Sequence, residues 1–217
     1  KMFMNIRKML ASFSVVSLLL TMMGVQTASA GTFMDVSESH WAFDYVEQLV
    51  ADGVIDTAEN FRPDENLNRA ELVKIAVEAA GIELDDTDGP SFSDVAEGAW
   101  YYSYVETAAK NGIVEGYTDA DGVLTGMFGP ADTVNRAQAT KILVNAFAVT
   151  TNTDGGPHFP DVSSEAWYYE FVETAYNWSI IDGYANGNFG PGDAVTRAQI
   201  AKITVNGGSC FWRSRAS

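Results

Sequence analysis

One unit is written three times in this chain, and that repetition constrains the fold more than any other feature. Aligned on Phe-x-Asp-Val, the copies begin at Phe33-Met34-Asp35-Val36, Phe92-Ser93-Asp94-Val95 and Phe159-Pro160-Asp161-Val162. Six residues beyond each Asp stands a tryptophan, Trp41, Trp100 or Trp167, which opens a similar stretch in every copy. Phe-x-Pro follows at Phe61-Pro63, Phe128-Pro130 and Phe189-Pro191, and six residues past each proline comes an arginine, Arg69, Arg136 or Arg197. Five residues past each arginine is a lysine, Lys74, Lys141 or Lys202. Only the Trp-to-Phe distance changes, from 20 to 28 to 22 residues, so the flanking blocks are read as structured and the middle as loop.

Each unit reads as helix, loop, helix, and no long strand pattern is present. Trp41, Tyr45, Val46, Leu49 and Val50 recur on one helical stripe, repeated by Trp100, Tyr104, Val105 and Ala108 and by Trp167, Phe171, Val172 and Ala175. Gly53 and Gly112 stand where a helix C-terminal glycine belongs, and Ser179 takes that place in the third copy. The second helix opens with Asn68, Asn135 or Thr196, followed three residues later by Glu71, Gln138 or Gln199, which is the pattern of a capping box. A unit of roughly 60 residues buries too little surface to stand alone comfortably. The single cysteine, Cys210, rules out an intrachain disulfide, so the three units are expected to pack on one another.

The first thirty residues read as an export signal. Lys1, Arg7 and Lys8 form a basic start, Met9 to Val25 is a mostly apolar run, and Ala28-Ser29-Ala30 is a small-x-small cleavage pattern. The expected divisions are a signal peptide over 1–30, repeats over 31–88, 89–155 and 156–206, and an atypical tail over 207–217. The tail breaks the repeat at Gly207, as a truncated longer protein or a shifted reading frame would. Beyond Ala30 ten cations face all 29 acids of the chain, which argues against nucleic acid and against an anionic membrane surface as partners.

In its order of words the repeat resembles the S-layer homology (SLH) module: Phe-x-Asp-Val, the tryptophan, then Gly183-Tyr184-Ala185-Asn186-Gly187-Asn188-Phe189-Gly190-Pro191 and Thr196-Arg197-Ala198-Gln199 in the third copy. The likeness covers Phe33 to about Val205. It implies a mainly α fold of three tandem helix-loop-helix repeats, packed as a pseudo-threefold spindle around a central three-helix bundle. It also implies a protein secreted to the bacterial cell surface that is held non-covalently by a cell-wall polysaccharide, often a pyruvylated polymer. The alternative within the same resemblance is a structural role, self-assembly into an S-layer without glycan binding.

The four-residue word around each arginine is in part a helix start, with the cap residues serving backbone donors. That does not account for Arg69, Arg136 and Arg197 at the first helical position, where a cation opposes the helix dipole. Two readings stand: an anion site made by the guanidinium and the free N–H groups of the first turn, or a structural arginine paired with a carboxylate of a neighbouring unit. The resemblance favours the first, because arginine in this word is the family's ligand contact. Tyr117 and Tyr184, in the loops Gly116-Tyr117 and Gly183-Tyr184, are the candidate sugar-facing aromatics, and the first copy has Val54-Ile55-Asp56-Thr57 there instead. Trp41, Trp100 and Trp167 are open to two readings, a core anchor or a platform under a sugar ring. The three lysines lie off the arginine face and read as solvated or inter-unit charges. Asp119-x-Asp121-Gly122 fails as a calcium loop, because the first and last ligand positions would be Tyr117 and Phe128. No cofactor or metal is expected, and no catalytic motif marks the chain as an enzyme.

Overall fold

The computed structural model describes residues 31–215, with side chains described through Ser209; the expected signal peptide lies outside them. Among the described residues there are six helices: α1 (Phe43–Ala51), α2 (Arg69–Ala79), α3 (Tyr102–Lys110), α4 (Arg136–Ala146), α5 (Tyr169–Asn177) and α6 (Arg197–Arg215). Among these residues, pairing of extended chain is limited to isolated bridges.

The second helix of each copy starts where the sequence places it. The side chains of Asn68 and Asn135 accept from the N–H of Glu71 and Gln138, whose own side chains accept from the cap N–H. Thr196 and Gln199 exchange the same two bonds. These helices are buried on more than one side: Leu72, Val73, Ile75 and Ala76 of α2 are all core residues, as are Ile142, Leu143 and Ala146 of α4. This follows from what they touch, because α2, α4 and α6 pack on one another while each also receives a first helix, α3 on α2, α5 on α4 and α1 on α6. The first helix of a copy therefore lies against the second helix of the copy before it in this cyclic order, not against its own.

The same order runs through the loops between the helices. Bridges join Asn68 to Thr133, Asn135 to Ala194 and Asn66 to Thr196, so the residues before each second helix pair with their counterparts in the other two copies. Each copy's start is tied to its own first helix by a glutamate: Glu47 accepts from Thr32, Glu106 from Ser91, and Glu173 from the backbone and ring nitrogens of His158.

The repeat ends at Gly207 in sequence, but helix α6 continues through Gly207 and Gly208 to Arg215. Gly207 lies against the Phe147 ring, where an added Cβ would approach ring carbons to 2.6 Å, so the helix makes a close contact there. Two glycines inside a helix cost it about 1 kcal/mol each relative to alanine without ending it.

Candidate functional site

The construction of the site begins with the Asp of the Asp-Val word. Asp94 accepts from the N–H groups of Phe128 and Gly129, both at 2.8 Å. Asp161 does the same for Phe189 and Gly190, and Asp35 for Phe61 and Arg62. Burial opposes the charge on Asp35, yet the two N–H groups outweigh it and hold the carboxyl below its ordinary value. Each aspartate thus fixes the Phe-x-Pro turn of its own copy, and the turn presents its carbonyls to the helix of another copy.

That helix is where the arginines sit. Arg69 Nε donates to the Phe128 carbonyl at 2.8 Å, and its Nη2 reaches the Glu115 carbonyl at 3.4 Å. Arg136 donates to Phe189 at 2.8 Å and to Asp182 at 2.6 Å, and Arg197 donates to Phe61 at 2.6 Å. The guanidinium groups lie over rings: Arg69 over Tyr117 and Phe128, Arg136 over Tyr184 and Phe189, Arg197 over Phe61. Arg69 and Arg136 keep only 5% and 7% of their surface, and burial pulls both guanidinium groups below their ordinary pKa.

At Arg69 and Arg136 this geometry departs from both readings of the sequence, whereas Arg197 has a carboxylate of another copy beside it. The first-turn N–H groups are taken: those of Arg69 and Ala70 go to the Asp132 and Pro130 carbonyls, those of Arg136 and Ala137 to Asp193 and Pro191, and those of Arg197 and Ala198 to Glu65 and Pro63. The third donor in each helix goes to the cap side chain. A helix N-terminal anion site with free backbone donors is therefore not what these arginines build. Nor are Arg69 and Arg136 neutralised by a carboxylate, because their close partners are carbonyl oxygens. Of the three, Arg197 is the one that forms an ion pair among the described residues, with Glu71 at 3.6 Å, while Asp132 and Asp94 act on Arg69, and Asp193 and Asp182 on Arg136, from farther off.

What the arginines do build is one wall of a groove. A cavity of about 360 Å³ is lined by Arg69 of the first copy, the Glu115–Thr118 loop of the second, Gln138 and Lys141 on α4, and Trp167 of the third. A second, of about 180 Å³, repeats the arrangement with Arg136, Gly183 and Tyr184, Gln199, Lys202 and Trp41. Each groove takes residues from all three copies. Tyr117 and Tyr184 belong to these walls, and the Tyr117 hydroxyl donates to Asp132 at 3.0 Å. Gly116 and Gly183 let the loop pass close to the core: a Cβ would come to 2.9 Å from the Met127 carbonyl at Gly116 and to 2.5 Å from the Phe159 ring at Gly183.

The tryptophans are not core anchors. Trp41, Trp100 and Trp167 are 56%, 58% and 56% exposed and stand just before their helices, while Ala42, Val46 and Leu49 bury the first-helix stripe. The lysines each pair with an acid of their own copy: Lys74 with Asp56 and Lys141 with Glu115, both at 2.9 Å, and Lys202 with Asp182 at 2.8 Å. Lys141 and Lys202, read from sequence as off the site, line the two grooves together with Gln138 and Gln199. The signal for them was their fixed distance from the arginine. It misled because lysine and arginine of one copy serve different grooves.

The equivalent position over Arg197 is built differently. The first copy has no Gly-Tyr loop, and Arg62 stands where Gly129 and Gly190 stand in the others, at a φ of +62°. Its guanidinium pairs with Glu65 at 3.1 Å, the counterpart of the Tyr117–Asp132 bond.

Compared with known proteins, the chain matches the model of the S-layer homology domain at residues 32–73, 91–140 and 158–201. It is 24% identical over 91% of its length to an S-layer protein of Bacillus thuringiensis subsp. finitimus, of which it covers 24%. It is 32% identical over 79% of its length to an amylopullulanase of Thermoanaerobacterium thermosulfurigenes and to the exoglucanase XynX of Acetivibrio thermocellus, covering 9% and 16% of those proteins. The chain thus spans about a quarter or less of the length of these relatives. With three matched segments that together take in more than half of the chain, it belongs to the S-layer homology family and carries three of its modules in tandem.

Proposed function

We propose that the chain anchors a surface protein by gripping an acidic cell-wall glycan in the two grooves over Arg69 and Arg136. Surface anchoring of wall-associated bacterial proteins is the role of this family, and S-layer proteins are among the chain's relatives. The observation that carries the glycan reading is the composition of the grooves: a guanidinium, an ammonium, a side-chain amide, a tyrosine and an exposed tryptophan from three separate copies face one cavity. Arg69 uses two directions of its five-donor fork on carbonyls, and the remainder, with Lys141 exchanging its Glu115 partner, suits a carboxylate such as that of a pyruvyl ketal. Trp167 and Tyr117 offer flat apolar faces to a sugar ring. The acidic net charge of the chain is not an obstacle, because such contacts act within a few ångströms and the wider field is damped over about 8–10 Å at ordinary ionic strength.

Co-sedimentation with purified cell-wall sacculi tests this. The chain is expected to pellet with sacculi, and Lys141→Ala with Lys202→Ala to stay in the supernatant while keeping the helical spectrum of the parent. Undiminished pelleting of that double variant, or of the parent on sacculi stripped of their acidic polymer, would sink the mechanism. Self-assembly is the second reading, favoured by the S-layer proteins among the relatives; light scattering that shows lattices or oligomers without any wall present would speak for it.

A further inference from the structure

The two grooves differ in one element. Ten residues, 118–127, separate Tyr117 from Phe128, against four, 185–188, between Tyr184 and Phe189. In both copies the tyrosine N–H closes the loop at its base, Tyr117 on the Met127 carbonyl at 2.8 Å and Tyr184 on the Asn188 carbonyl at 2.7 Å. The longer loop of the second copy rises from this shared base as a hairpin. It is held at both ends. Ser93 donates to the Gly126 carbonyl through its N–H at 2.9 Å and its hydroxyl at 3.1 Å, and the Asp119 carboxylate accepts from the N–H groups of Asp121 and Val123 at 3.0 and 2.9 Å.

The hairpin belongs to the wall of the first groove. Thr118 lines that cavity of about 360 Å³, whereas the lining of the second, about 180 Å³, stops at Tyr184 on the matching loop. The N–H of Thr125 donates to the Tyr117 carbonyl at 2.8 Å and that of Asp119 to the Val123 carbonyl at 2.9 Å, which makes Thr118 and Leu124 between them a non-hydrogen-bonded antiparallel pair. The side chains of such a pair stand on one face, at the closest spacing a ladder offers. Leu124 therefore prolongs the surface that Thr118 begins, and Val123, its neighbour in sequence, turns to the other face. Both are open to solvent, Leu124 at 64% and Val123 at 61% exposure. The loop of the third copy, Ala185-Asn186-Gly187-Asn188, carries no apolar side chain of that size.

We propose that this hairpin is an added subsite of the Arg69 groove, an inference that rests on the reading of the grooves as glycan sites. The first groove takes an acidic sugar together with an uncharged sugar joined to it, and the second takes the acidic sugar alone. The acidic sugar meets Arg69 and Lys141, and its neighbour lays a C–H face on Leu124. Charge sets the choice of neighbour. Asp119 and Asp121 bring two carboxylates to the hairpin, and neither forms an ion pair among the described residues, so a second anionic sugar would meet like charge there. Because base and turn are already held, binding costs the hairpin little ordering.

Calorimetric titration of the chain with two probes tests this: the methyl glycoside of a pyruvylated sugar, and a trisaccharide in which that sugar stands between two uncharged ones. The trisaccharide is expected to bind about fivefold tighter than the glycoside at one site, the worth of covering part of an exposed leucine. That preference should survive Lys202→Ala, which impairs the second groove only. Leu124→Ser should reduce the trisaccharide to the affinity of the glycoside. So should deletion of residues 119–124, which gives the loop the length of the third copy's and sets Gly126 in the place of Gly187. Val123→Ser, on the other face, should keep the preference. Equal binding of the two probes by the parent, a preference that outlasts the hairpin, one lost in Lys202→Ala, or one lost as fully in Val123→Ser as in Leu124→Ser would each overturn the added subsite and leave the glycan reading standing. Binding of neither probe to the parent would overturn both.

Discussion

Arg69 and Asp94 hold opposite edges of a single peptide group. The Phe128–Gly129 unit gives its carbonyl to Arg69 Nε and its N–H to Asp94 Oδ2, each at 2.8 Å, although the two side chains come from different copies. Arg136 and Asp161 repeat this on Phe189–Gly190, and Arg197 and Asp35 on Phe61–Arg62. The turn is the joint between modules. Charge-assisted hydrogen bonds contribute about 1.5–3 kcal/mol each. Asp94→Ala is expected to cost about 3 kcal/mol in urea unfolding, and Asp94→Asn nearly as much, because an amide cannot accept on both atoms. A loss below about 1 kcal/mol would mean that the turn holds its shape unaided.

This double use explains what could and could not be read from the sequence. The helix starts were legible, because Asn68–Glu71, Asn135–Gln138 and Thr196–Gln199 report local chemistry, and so were the stripes of α2 and α4. Arg69 was legible as a residue out of place at a helix start, but its partners lie 46 and 59 residues away, and spacing within one copy carries no trace of them. Trp41 stayed open between two readings for the same reason: it reads as the first residue of an apolar stripe, yet the stripe begins one residue later at Ala42, and the indole lines a groove built by the other two copies. Periodicity tells which face of a helix is apolar and not which copy covers it.

Two helix ends carry strain that glycine would relieve. Ser179 follows α5 at a φ of +59° and Ala148 follows α4 at +46°, where Gly53, Gly81 and Gly112 occupy the matching positions elsewhere. A side chain in the left-handed region costs about 1 kcal/mol. Ser179→Gly and Ala148→Gly are each expected to stabilise the chain by about 0.5–1 kcal/mol, additively because the sites are separate, as read from shifts of the unfolding midpoint. Destabilisation by either would show that the side chain makes a contact worth more than the strain.

The first linker supplies an acid-sensitive contact. Asp85 is held at about 2 by a hydrogen bond from Lys110 and by the hydroxyl and N–H of Thr87. Because the carboxyl titrates lower folded than unfolded, its contribution is complete above the ordinary value near 3.8 and disappears as the pH falls through about 2. Carboxyl NMR titration should therefore place Asp85 near 2, and Lys110→Met should return it most of the way to its ordinary value. The stability gap between parent and Lys110→Met is expected to close below pH 2; a gap that persists there would assign the lysine's effect to packing of its alkyl chain.

The swapped construction of the grooves makes a prediction about coupling. Trp41 and Lys202 line one cavity although they belong to the first and third copies, while Trp41 and Lys74 share a copy and no groove. In wall-polymer binding, Trp41→Ala and Lys202→Ala should each weaken affinity up to about tenfold, in keeping with roughly 1 kcal/mol for an exposed ring or charge contact. Their double variant should lose less than the sum of the two, because the second change acts on a groove already impaired. Lys74→Ala faces the differently built Arg197 position, with Glu71 beside its guanidinium and no Gly-Tyr loop, and should leave affinity nearly unchanged alone and additive with Trp41→Ala. Coupling of Trp41 to Lys74 instead of Lys202 would place the binding surface within a single module and refute the shared groove.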